Sequence, residues 1–387
     1  MENFEFHVPT KIVFGKDVVN ETGKHARNLG KKLLMIYGLG SIKKSGTYDK
    51  VVKSLKQENL EIIEFPGVKS NPILSHAKEG IRLAKENKVD FILAVGGGSV
   101  IDEAKAIAAG ALYNGDIWDF YTEDVKIKAA LPIVVVLTIP ATSSEMNSVS
   151  VITNEETKRK AGFSSPFFYP AVSILDPTVT YTIPPDYMAY SAADAVAHLL
   201  EGYFTHSDQW SPIQDRYVEG LVKTIMECTE KIMKNPADYE GRATIMWAST
   251  LAWNGLCVAG LRDAEVPNHM LGHTLGALFD TPHGATLTII IPNWMRYMKN
   301  KYRKNFIQFA ENIFNIKTGD DDLTLELGII ALREWFKKIK CPVSLGEAGI
   351  KNPGLEMMAK NALITAKAWN IKGYDEKMIV DIFRECL

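Results

Sequence analysis

Cysteine is scarce and scattered in this chain. Its four cysteines, Cys228, Cys257, Cys341 and Cys386, form no Cys-x-x-Cys pair, which leaves neither a disulfide framework nor a thiolate metal site. An excess of charge of one sign is missing as well. The formal net charge is −2, and without a basic block or an RNA-type aromatic motif the sequence argues against a nucleic-acid partner. No apolar run reaches membrane-spanning length, and the opening stretch through Gly15 lacks the apolar core of a secretory signal. Tandem repeats and low-complexity segments are also lacking. The expectation is a cytoplasmic protein with a small-molecule partner and no membrane association.

What is present fits a folded chain of more than one core. At 387 residues, with 46% hydrophobic and 23% charged residues, two domains are expected, 1–184 and 185–387. The first half alternates strand and helix signals. Strands are expected at Lys11–Phe14, Lys32–Tyr37, Leu60–Phe65, Phe91–Val95, Ile133–Leu137, Val149–Thr153 and Val172–Leu175. Helices are expected from Ser45 to Gln57, from a Ser75 cap to Glu86, and from Ser99 to Tyr113. Near-continuous apolar strands between helices indicate an α/β domain with a parallel sheet. After Pro184 and Pro185 helical periodicity takes over, at Tyr187–Phe204, Pro212–Met233, Tyr239–Val258, His269–Leu278, Tyr302–Phe314 and Leu323–Ile339, so an all-α second domain is expected.

Three loops of the first domain point to a nucleotide. Gly96, Gly97, Gly98 and Ser99 join a buried strand to an alanine-rich helix, where glycines admit a phosphate and the helix start offers free N–H groups. The spacing is neither GxGxxG nor a Walker sequence. The second turn is Gly38, Leu39, Gly40 and Ser41, followed by Lys43 and Lys44. With two lysines and no carboxylate there, it favours a 2′-phosphate, and so NADPH over NADH. The third loop, Thr138 to Ser144, follows another buried strand and is rich in small hydroxyl side chains.

The histidines carry the second signal. Of eight, three (His269, His273 and His283) fall within fifteen residues, and Asp194 and His198 lie at i, i+4 upstream. Each i, i+4 pair shares a helix face. A single histidine in such a run more often has a core partner. As a set, they suggest a divalent ion held by nitrogen and oxygen without sulfur, which suits Fe²⁺, Zn²⁺, Co²⁺ or Mn²⁺. His76 and His206 lack comparable company in the sequence, and His7 and His25 read as structural.

Pro9 to Gly15, Gly96 to Asp102, Asp194-x3-His198, His269-x3-His273 and His283-Gly284 together resemble the iron-containing (group III) alcohol dehydrogenase family over essentially the whole chain. The likeness is closest to its butanol dehydrogenase and NADPH-dependent aldehyde reductase branch. The resemblance implies a Rossmann-like first domain and a helical second domain, the dehydroquinate synthase-like architecture, with an active-site cleft between them. It implies Asp194, His198, His269 and His283 as metal ligands, with His273 beside them as the candidate proton donor. Cofactor contacts are implied at Gly38, Ser41, Asn71, Gly97, Gly98, Ser99, Asp102, Thr138, Thr142, Asn147 and Lys160. The implied reaction is hydride transfer between NADPH or NADH and short aliphatic aldehydes such as butanal, with Fe²⁺, Zn²⁺ or Co²⁺, in a homodimer. Leu39 departs from the branch's run of three glycines and weakens the NADPH preference. The pocket is expected to be apolar and lined from Trp247–Leu261. The alternatives are a glycerol- or diol-type dehydrogenase, a sugar-phosphate cyclase of the same fold, and a metal-binding module without catalysis.

Overall fold

The computed structural model describes residues 1–123 and 125–387. Two compact units result, and neither is a single run of chain. One comprises His7–Ile183 and Asn235–Asn254, the other Met1–Phe6, Pro184–Lys234 and Gly255–Leu387.

The first unit contains β1 (Lys11–Phe14), α1 (Thr22–Ala26), β2 (Lys32–Tyr37), α2 (Ser41–Lys44), α3 (Thr47–Gln57), β3 (Glu61–Pro66), α4 (Leu74–Asn87), β4 (Phe91–Gly97), α5 (Gly98–Ala111) and α6 (Asp119–Thr122). It continues through β5 (Ile133–Ile139), β6 (Val149–Asn154), β7 (Arg159–Ser164) and β8 (Val172–Leu175). Six strands form a parallel sheet in the order β1-β8-β5-β4-β2-β3, and β6 and β7 form an antiparallel ribbon. Alternate strand residues enter opposite cores. Leu34, Ile36, Ile92, Ala94, Val135 and Leu137 pack on one face, and Leu33, Met35, Phe91, Leu93, Val134 and Val136 on the other. Burial on both faces explains the continuous apolar runs, at ~1.5–3 kcal/mol for each fully buried Val, Leu, Ile or Phe. The expected α/β domain with a parallel sheet is therefore present.

From β2 the chain goes outward to β3, then returns to place β4 on β2's other side. The order reverses there, and Tyr37 at the end of β2 pairs with Val95 near the end of β4. Ligands of open α/β sheets bind beyond the carboxyl ends of strands at such a reversal. The turns beginning at Gly38 and Gly96 consequently sit side by side, with the end of β5 next to β4.

The second unit is helical: α7 (Pro185–Thr205), α8 (Pro212–Lys234), α10 (Pro267–Phe279), α11 (His283–Met298), α12 (Arg303–Phe314), α13 (Asp321–Lys338), α14 (Leu355–Ala368) and α15 (Glu376–Glu385). The intervening α9 (Tyr239–Ala252) belongs to the sheet unit. None of the helices is long and apolar enough to cross a membrane among the described residues.

Several local expectations change. The helix expected from Ser45 begins two residues later, as α3 at Thr47 behind the left-handed Gly46 (φ 76°), and the separate short α2 precedes it. Ser75 caps nothing: α4 starts at Leu74 behind Ile73, with no side-chain cap. The helix expected to reach Val258 stops at Ala252, before a left-handed Gly255. α11 carries no readable amphipathic period, since 284–295 are buried all round, and Pro292 sits inside it.

Candidate functional site

The helical unit gathers the acid and imidazole groups. Asp194 and His198 lie one turn apart on α7, His269 and His273 one turn apart on α10, and His283 opens α11. Gly284 lets α11 start there, because a Cβ at this position would collide with the Tyr190 carbonyl of α7. Asp194 is 3% exposed, His269 5% and His198 9%, whereas the His283 side chain is 21% exposed.

Asp194 Oδ1 stands 3.5 Å from His198 Nε2, 3.7 Å from His269 Nε2 and 3.5 Å from His283 Nε2. These separations exceed the 2.7–3.2 Å of N–H···O hydrogen bonds. Asp194 Oδ1 and His269 Nε2 are buried without a hydrogen-bond partner in the structure. Ligand atoms held ~2.0–2.2 Å from one tetrahedral ion lie roughly 3.3–3.6 Å apart. Ligand atoms of Asp194, His198 and His269 all lie within 4.8 Å of one another. The donors of Asp194, His198 and His269 therefore fit a divalent ion, and His283 Nε2 adjoins them through its 3.5 Å approach to Asp194.

Electrostatics prepares the set unevenly. Burial drives the His198 pKa down to about 3, with the neighbouring His269 charge adding to the effect, so His198 is the neutral imidazole that ligation requires. Burial acts the same way on His269, but the facing carboxylate of Asp194 and the hydrogen-bonded carboxylate of Glu201 outweigh it and raise its pKa to about 9. The His198 and His269 rings stack at 4.2 Å, and His283 lies 5.3 Å from His269. The His273 ring is 5.5 Å from His283 and edge-on to Trp369 at 4.8 Å.

In the sheet unit the expected cofactor residues divide by what they touch. Gly38, Ser41, Gly97, Gly98 and Thr138 sit at the carboxyl ends of β2, β4 and β5. A Cβ on Gly98 would collide with Thr142, so glycine is what allows that close approach. Ser99 Oγ donates to Ser70 O. Asp102 is turned inward, accepting from Ser144 Oγ at 2.6 Å and Val151 N–H at 3.1 Å, and burial raises its pKa. Asn147 Oδ1 accepts from Val149 N–H at 2.9 Å, and its Nδ2 donates to Thr142 O at 3.1 Å. Lys160 Nζ donates to Asn71 Oδ1 at 3.0 Å.

The region beyond β2 does contain a carboxylate, contrary to the sequence reading. Glu64 of β3 accepts from Tyr37 and Tyr48 hydroxyls at 2.6 Å each and lies 3.7 Å from Lys43 Nζ. Lys43 also sits over the Tyr48 ring at 4.6 Å. Leu39 is 82% exposed. Trp247, expected to line a helical-domain pocket, instead packs edge-on against Phe14 in the sheet unit, with centroids 6.2 Å apart. Nor do His76 and His206 lack acidic company: His76 Nδ1 is 2.5 Å from Glu103, and His206 Nε2 is 3.6 Å from Asp215.

Among the buried charges that the sequence reading passed over are Lys105 and Glu201. Lys105 Nζ, fully buried, donates to Ser144 Oγ, Asn147 O and Oδ1, and Val149 O, and burial lowers its pKa to about 8. Its place among alanines in an apolar helix was the available signal. Glu201, 1% exposed, follows His198 by three residues on α7; that spacing was its only signal.

The family profile described as iron-containing alcohol dehydrogenase matches residues 9–177, and the profile of the C-terminal part of the Fe-containing alcohol dehydrogenase family matches 188–387. The chain belongs to the iron-containing alcohol dehydrogenase family. As a member, it is an oxidoreductase. It is 39% identical over 390 residues to a protein described as a probable NADH-dependent butanol dehydrogenase 1 from Bacillus subtilis, covering 100% of both chains. It is 38% identical to the NADPH-dependent aldehyde reductase YqhD of Escherichia coli, over 93% of this chain and 92% of that one. The crystal structure of NADH-dependent butanol dehydrogenase A from Thermotoga maritima superposes with a TM-score of 0.96 and 44% identity, covering 100% of this chain and 99% of that one. The iron-containing alcohol dehydrogenase profiles meet between 177 and 188, where the chain leaves β8 and enters α7.

Proposed function

We propose that this alcohol dehydrogenase interconverts short aliphatic aldehydes, butanal above all, and their primary alcohols at the expense of a nicotinamide cofactor. The observation that carries this reading is the single Asp194 oxygen facing three imidazole nitrogens at 3.5, 3.7 and 3.5 Å. Asp194, His198, His269 and His283 would hold the ion, iron by the family's chemistry, with Zn²⁺ or Co²⁺ as substitutes. When bound, the ion supplies Lewis acidity toward a carbonyl oxygen and the nicotinamide supplies or takes up hydride at its C4.

The chain's own groups do the rest. Three neutral imidazoles and one carboxylate offset one of the ion's two charges, leaving attraction for a polarised oxygen. Burial of the cluster keeps water away and strengthens that attraction. Reduction of an aldehyde by NAD(P)H consumes one proton, and His273 is the group assigned to deliver it. Gly38, Ser41, Asn71, Gly97, Gly98, Ser99, Thr138, Thr142 and Lys160 are assigned to the cofactor, with Asp102 and Asn147 shaping the loops that meet it. Glu64 offsets part of the charge of Lys43, so the pocket accommodates NADH as well as NADPH, with Lys44 and Ser41 supporting the phosphate. Relatives with either cofactor in their descriptions accord with this. The reading also takes the enzyme to be a cytoplasmic homodimer, which sedimentation of the purified chain tests for assembly.

The deciding assay is anaerobic reconstitution with Fe²⁺, Zn²⁺ or Co²⁺, then butanal with NADPH or NADH. A steady fall in nicotinamide absorbance that requires the ion supports the reading. No turnover with any ion and either cofactor sinks it.

A further inference from the structure

Glu201 has no part in the reaction proposed above, yet both of its carboxylate oxygens are occupied by the first turn of α10. Oε1 accepts from the His269 backbone N–H at 2.7 Å and from His269 Nδ1–H at 2.9 Å. Oε2 accepts from Asn268 Nδ2 at 3.0 Å and from the Asn268 backbone N–H at 3.3 Å. A carboxylate that is 1% exposed needs such donors, because an unpaired buried charge is strongly unfavourable.

Half of this arrangement is helix capping. Val266, at the N-cap of α10, has no side-chain acceptor to cap the helix, and the first N–H groups of a helix have no partner within it. Glu201 supplies the acceptor from α7, and its negative charge faces the positive end of the helix dipole. The contact with the His269 ring goes further than a cap requires. An imidazole donating Nδ1–H to a fixed carboxylate is held in one tautomer and one orientation, with its lone pair on Nε2. That Nε2 is the atom facing Asp194 Oδ1 at 3.7 Å.

We propose that Glu201 is a positioning residue of the metal centre, capping α10 from α7 while locking His269 in the Nδ1–H tautomer that presents Nε2 to the ion. The inference rests on the reading of Asp194, His198, His269 and His283 as the ion-holding set. Glu201 also brings a second carboxylate charge next to the cluster, one imidazole removed from the ion. Neutral glutamine in its place supplies one acceptor oxygen instead of two and turns an NH₂ group toward N–H donors.

The test uses metal-free, full-length protein titrated with Co²⁺, followed by the visible spectrum of the bound ion, and with Zn²⁺ in competition with a chromophoric chelator. Wild type, Glu201→Gln and Glu201→Asp are compared, with thermal unfolding of the metal-free forms alongside. Aspartate keeps the charge near the helix end but withdraws the oxygens by one methylene. Both variants are expected to lose roughly 10–100-fold in affinity, with an altered Co²⁺ spectrum. Affinity within twofold of wild type in both variants overturns the proposal. So does full recovery in Glu201→Asp, which would assign the whole effect to charge at the helix end. If neither variant folds, the ¹⁵N-histidine correlation of Zn²⁺-loaded wild type decides: a proton on Nδ1 of His269 supports the proposal, and one on Nε2 overturns it. Failure of the underlying metal reading looks different, since wild type would then take up no stoichiometric ion or Asp194→Ala would bind it equally well.

Discussion

Around Asp194, three imidazole nitrogens stand 3.5–3.7 Å from one carboxylate oxygen and form no hydrogen bond to it, whereas around Asp102 the same kind of group has closed onto its neighbours. Ser144 and Val151 donate to Asp102, and Lys105 ties down Asn147 and Val149. Both regions are buried and rich in polar atoms. In the helical cluster, donor atoms are spaced for an ion. In the sheet loops, polar side chains are spent on one another, which stiffens the turns. Buried polarity thus serves two purposes here, and hydrogen-bond geometry tells them apart.

Substitutions can break that contrast, and the largest effect should come from the cluster. Asp194→Ala or His269→Ala is expected to lower metal affinity by more than the roughly 100-fold upper range of outer-sphere changes and to abolish turnover; elemental analysis after dialysis checks this, and retention of stoichiometric metal would refute the ligand assignment. Next, His273→Ala should slow turnover by roughly 10²–10⁴ while metal content stays at the wild-type level. Metal loss in that variant would exchange the roles of His273 and its neighbours.

In the sheet unit the expected effects are smaller and fall on the cofactor. Lys105→Met leaves the acceptors on Ser144, Asn147 and Val149 without their buried donor, which costs about 1–3 kcal/mol of stability by denaturant titration. It should raise the Michaelis constant for the cofactor without altering metal content; a change in metal content instead would erase the distinction between the regions. The smallest effect is expected from Gly38→Asp, which places a carboxylate where a 2′-phosphate would bind. It should raise the Michaelis constant for NADPH several-fold more than that for NADH, and equal effects would remove Gly38 from the phosphate pocket.

Much of this architecture was legible along the chain. The runs Phe91–Val95 and Ile133–Leu137 announced strands buried on both faces, because a parallel sheet covered by helices needs no polar alternation. α11 was not legible, since a helix buried all round has no amphipathic period and Pro292 argues against it. Glu64 was missed because its nearness to Lys43 depends on β3 lying beside β2, a pairing that local sequence does not encode.

At the site the same division holds. Spacing by itself determined that Asp194 and His198 share one helix face and that His269 and His273 share another, because 3.6 residues per turn admit no other arrangement. The helical packing decided the rest. It set three Nε2 atoms around one Asp194 oxygen, left His273 beside Trp369, and brought Glu201 of α7 against the first turn of α10. Those choices depend on where one helix meets another, and residues such as Gly284, whose missing Cβ permits the approach, reveal their purpose only when the neighbouring helix is in place.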